Sequence, residues 1–163
     1  MLHLPINHRL QGAYRGLAAF TGLAMVAWGI VGALAGQDHP ATGRSDLTVW
    51  GMHTNLTLSL ATLGLGALVL LGALIGRTVG FVANGLAAVL TLLAGLAALT
   101  LAHTDFNVIN GQVDTAIGLF IVGSVLLAAA TYTRSGSRSQ ARAEEDFRHG
   151  EGAVQAQTAS NPA

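Results

Sequence analysis

The chain has no cysteine and no lysine, and only 10% of its 163 residues are charged. Without cysteine there are no disulfides, thiolate metal sites or thiol nucleophiles. Without lysine, arginine supplies all eight basic side chains, and these balance eight acidic ones to a formal charge of zero. That balance gives no electrostatic footprint for nucleic acid. Soluble domains carry about 25% charged residues, so the shortage points away from water. Between Asp46 and Asp105 the only formal charge is Arg77, and no charge lies mid-way along any long apolar run. This argues against proton relays, voltage sensors and ion-coupled transport, which place ionisable groups inside the membrane.

What is present is apolar sequence, 52% of the chain, in runs long enough to cross a hydrocarbon core of about 30 Å at 1.5 Å per residue. The pattern predicts an all-α membrane protein with four transmembrane helices, about 17–35, 55–75, 79–102 and 115–132, arranged as an up-down bundle. The transmembrane domain then covers 1–133, including a short interfacial approach segment around Pro5 and Tyr14. Residues 134–163 form a tail rich in Arg, Ser, Gln and Ala that buries too little apolar surface to offset its ordering entropy, and disorder is expected there. Ala33-Leu34-Ala35 before Gly36 has the form of a signal-cleavage site. The run 17–35 exceeds the usual apolar core of about 7–15 residues in such signals, however, and reads as a first span.

Arginine distribution sets the orientation. Arg9, Arg15, Arg77, Arg134, Arg138, Arg142 and Arg148 fall on one side of four spans, and Arg44 alone falls on the other. By the positive-inside rule both termini are cytoplasmic, in a bacterial inner (plasma) membrane, and Arg77 pins the link between the second and third spans. Exclusive use of Arg with abundant Ala, Gly and Leu fits a GC-rich bacterial coding bias. Gly16-Leu17-Ala18-Ala19 and Gly85-Leu86-Ala87-Ala88 also suggest that the two halves are repeats.

Small residues recur at a spacing of four, among them Gly32 and Gly36, Gly72 and Gly76, and Gly76 and Gly80. In lipid, where burial of apolar surface no longer drives association, this spacing lets helix backbones approach closely. Asn84, one turn into the third span, is expected to tie that helix to a neighbour by a hydrogen bond. His53, His103 and Asp105 lie at one end of the second and third spans. Imidazole and carboxylate suit a metal ion, and paired histidines suit haem, so these three are the candidate ligands. No cofactor is otherwise predicted. No G-x-S-x-G serine and no carboxylate pair outside Glu144 to Asp146 is present, so the chain has no catalytic constellation and reads as a non-enzyme.

Several stretches together carry a resemblance: His3-Leu4-Pro5-Ile6-Asn7-His8 followed by Tyr14-Arg15, Gly76-Arg77 with Asn84 after it, and Thr104-Asp105-Phe106-Asn107-Val108-Ile109-Asn110. Over about residues 3–133 the chain resembles the uncharacterised actinobacterial membrane family catalogued as domain of unknown function 4383. The resemblance implies four spans and a polar entry segment, and it carries no catalytic residues. The loop between the first two spans departs from the aromatic-rich form of that family.

The reading favoured by these features is an integral membrane protein with a structural or interaction role, partnered by the lipid bilayer and by itself or another membrane protein. A small redox or metal-binding protein using His53, His103 and Asp105 is the alternative, and transport of a small neutral solute is a third.

Overall fold

The computed structural model describes residues 10–133; the entry segment before Leu10 and the tail expected to be disordered lie outside them. The described residues form four helices, α1 (Gln11–Ala35), α2 (Leu56–Ile75), α3 (Arg77–Leu101) and α4 (Val113–Thr133), each long and apolar enough to cross a membrane. A two-stranded antiparallel hairpin, β1 (Thr48–Val49) and β2 (Met52–His53), lies between α1 and α2. Its turn residues Trp50 and Gly51 both have positive φ, 51° and 81°. Positive φ at both central positions matches the twist of flanking strands in a two-residue hairpin. Trp50 takes a position that glycine or asparagine normally fills.

Helix α1 starts six residues before the predicted position 17 because its first turns have polar partners. Arg15 donates through Nε to the Ala73 carbonyl and through its guanidinium to the Leu74 carbonyl, covering the bare C-terminal end of α2. A cation there also meets the negative end of the helix dipole. Tyr14 stacks on Tyr132 with ring centroids 4.4 Å apart, and Gln11 Nε2 donates to the Thr133 carbonyl at 3.2 Å. Helix α2 gives way to α3 at Gly76, whose φ of 70° reverses the chain in a single residue. A Cβ on Gly76 would also strike the Arg15 guanidinium.

The most extensive helix contacts join α1 to α2 and α3 to α4, with thinner seams between α2 and α3 and between α1 and α4. Packing between α1 and α2 depends on hydrogen in place of a side chain. A Cβ at Gly66 would stand 2.8 Å from Val26 N and 2.9 Å from Gly22 O, and one at Gly29 would stand 2.7 Å from Leu63 N. The central core is correspondingly small in side-chain volume: Ala18, Met25, Val69, Ala73, Ala87, Ala88, Leu126 and Ala129. Large apolar residues such as Phe20, Leu74 and Ile121 point outward, in keeping with helices long and apolar enough to cross a membrane.

Candidate functional site

The two long loops meet at one end of the helices, and three buried asparagines hold them together. Asn110 donates from Nδ2 to the Ser45 carbonyl at 2.8 Å and to the Thr54 carbonyl at 2.7 Å, and its Oδ1 accepts from Ser45 N at 3.1 Å. Asn55 caps α2 by accepting from Leu58 N at 2.9 Å, while its Nδ2 donates to the Val108 carbonyl at 2.8 Å. Asn107 closes its own loop, accepting from Gly111 N at 2.7 Å and donating to the Gly111 carbonyl at 2.8 Å. Each amide satisfies irregular backbone that apolar surroundings could not.

His53 belongs to this network and not to the expected ligand set. Its Nδ1 and its backbone N both lie 2.8 Å from Asp114 Oδ2, and Thr115 Oγ1 donates to the His53 carbonyl at 2.6 Å. Asp114 stands in the first turn of α4, where the helix dipole favours an anion. The carboxylate makes Nδ1 the donor, and in the neutral ring Nε2 is then the acceptor. His103 and Asp105 are exposed. Among the described residues no group of three or more His, Asp or Glu is placed to hold an ion, so the structure does not gather His53, His103 and Asp105 into a metal site. The physical reason is that Asp114 takes up the His53 ring from α4, a pairing 61 residues apart that local spacing does not reveal.

Just below this pair lies a crevice of about 360 Å³ between α1 and α4. Phe20, Met25 and Trp28 line it from α1, Gly118 and Val122 from α4, and Trp50 and Met52 cover its head from the hairpin. Trp28 is anchored by Nε1 donating to the Val49 carbonyl at 3.2 Å. Thr115 both lines the crevice and bonds His53, so the polar rim and the apolar slot are continuous. The small residue Gly118 leaves room for Met52, whose sulfur would collide with any Cβ there.

A second cavity, about 310 Å³, lies at the opposite end among Gln11, Arg15, Gly72, Gly76, Gly80, Asn84 and Thr133. Gly72 and Gly76 serve packing inside the chain: a Cβ on Gly72 would press into Ala83 at 2.6 Å. Asn84 is 1% exposed, yet its Oδ1 has no hydrogen-bond partner, so the expected tie between helices is not made through that atom. Gly72 faces that oxygen without a side chain: a Cβ there would stand 3.8 Å from it. Arg77 begins α3 directly after the Gly76 reversal.

Comparison with known proteins gives no match to any family model, curated protein or solved structure.

Proposed function

We propose that this chain is a multi-pass protein of a bacterial plasma membrane, an up-down bundle with both termini cytoplasmic, that works by non-covalent association within the bilayer. Kinship with the family of domain of unknown function 4383 belongs to the same proposal. The association surface is the crevice between α1 and α4, and its occupant is the hydrocarbon tail of a membrane amphiphile whose polar end rests beside His53 and Asp114. One observation carries this reading: a slot walled almost wholly by carbon opens at a thin helix seam and ends at a polar rim. Ligand sites take this form, a concave apolar wall with few polar groups fixing orientation. An unfilled gap would forfeit dispersion contacts along its whole lining.

The glycines of α2 and α3 support association through this slot over association through a bare helix face, because the space at Gly66, Gly72 and Gly80 is already occupied by neighbouring helices of the same chain. Replacing Ala24, an exposed crevice residue, with Phe should fill the slot without touching the core. Lipid retained through mild-detergent purification, measured by native mass spectrometry, should drop in Ala24→Phe. Equal retention by both proteins would remove the crevice as the binding surface.

A further inference from the structure

The cavity at the Gly76 end is chemically unlike the crevice. Among the described residues it brings together a cation with no carboxylate and a buried acceptor with no donor. Arg15 commits Nε and one side of its guanidinium to the Ala73 and Leu74 carbonyls, which are dipoles and not charges. Among the described residues the one acid–base pair within ion-pair distance is His53 with Asp114, at the other end of the helices, so none of their acidic side chains neutralises Arg15. A guanidinium has five donors, and this pattern leaves some of them for a further acceptor. Asn84, whose Oδ1 is enclosed and unpartnered, lines the same cavity. Thr91 Oγ1 is the other such side-chain atom among the described residues, and it lines neither cavity.

We propose that this cavity is a site for a phosphate-bearing headgroup that also carries a hydrogen-bond donor. The phosphate accepts from Arg15, a charge-assisted bond suited to a planar fork of donors. The donor, an ammonium or hydroxyl on the same headgroup, reaches Asn84 Oδ1 and satisfies it. Gly72, Gly76 and Gly80 line the space between the two polar groups without side chains of their own. A phosphate in this position would approach along the same end of the helices as the Arg15 clamp on α2. The site does not depend on the crevice, which shares no lining residue with it.

Phosphatidylethanolamine and phosphatidylcholine share the phosphate and the formal charge and differ in whether the nitrogen carries donors, so they separate the two halves of the proposal. Delipidated protein in mild detergent, titrated with short-chain forms of each and followed by native mass spectrometry, should bind the ethanolamine lipid about five- to tenfold more tightly, the worth of one buried hydrogen bond. Asn84→Leu should erase that ratio while melting no lower than the parent, because it removes an unsatisfied polar group. Arg15→Gln should weaken both lipids together. Soluble phosphoethanolamine that competes at similar concentration would assign recognition to the headgroup alone; failure to compete would assign it to the intact lipid, and either outcome retains the site. Ala24→Phe should leave the ratio unchanged. Equal affinity of the parent protein for the two lipids overturns the proposal, with or without a folded Asn84 variant, as does a ratio that survives Asn84→Leu or vanishes in Ala24→Phe.

Discussion

Asn110 shows how much a single residue does at the loop end. Its φ of 52° lies in the left-handed region, which asparagine tolerates better than most residues, and its amide hydrogens meet two loop carbonyls. Asn110→Asp keeps the shape and the backbone preference but replaces donors with acceptor oxygen facing those carbonyls. The variant should lose about 2–3 kcal/mol, the cost of buried partners left unpaired, measured as a lower unfolding midpoint in detergent. The stretch from His103 to Asp114 is conspicuous in the sequence as polar residues set between apolar runs. Its role as a clamp is not, since Asn110 and Ser45 are 65 residues apart and bond largely through backbone. Asn84 shows the opposite failure: the sequence marks it as a polar contact, whereas its oxygen has no partner and Gly72 faces it without a side chain.

At the scale of elements, all four helices are legible as apolar runs, and the largest shift, at the start of α1, comes where polar groups find partners hydropathy does not count. Helix α1 extends back to Gln11 because Arg15 and Tyr14 are satisfied by α2 and α4. The close packing of α1 on α2 is hidden for a different reason. A search at spacing four selects Gly12 and Gly16, around which a Cβ would meet nothing within 4 Å, and passes over Gly22 and Gly29, whose spacing is seven. Gly29→Ala would force a methyl to 2.7 Å from Leu63 N and 2.8 Å from Ser59 O, backbone atoms that cannot turn aside. It should destabilise by about 2–3 kcal/mol. Gly64→Ala, on the same helix pair but in open space, should stabilise by about 0.5–1 kcal/mol through helix propensity. Thermal unfolding of the two variants in one detergent compares them directly; similar behaviour of the two would mean that the α1–α2 contact is looser than the geometry shows.

Across the whole molecule, the chain is two tight helix pairs, α1 with α2 and α3 with α4, joined by thinner seams. This pairing has the arrangement a repeat would have, although the glycine positions in the two pairs differ. Both cavities involve the thinner seams: the crevice lies between α1 and α4, and the polar cavity includes the α2–α3 junction at Gly76. Neither cavity is visible in the sequence, because each assembles side chains from three or four helices whose lateral order hydropathy does not encode.

The two tryptophans of the chain, Trp28 and Trp50, both line the crevice, and Trp28 is only 6% exposed. In a Trp50→Phe background, the emission of Trp28 therefore reports whether hydrocarbon enters the slot. Reconstituted into bilayers of lipids brominated along the acyl chain, Trp28 should be quenched, and adding Ala24→Phe should restore its emission. Trp28 emission indifferent to brominated chains in both proteins would contradict an acyl chain in the crevice.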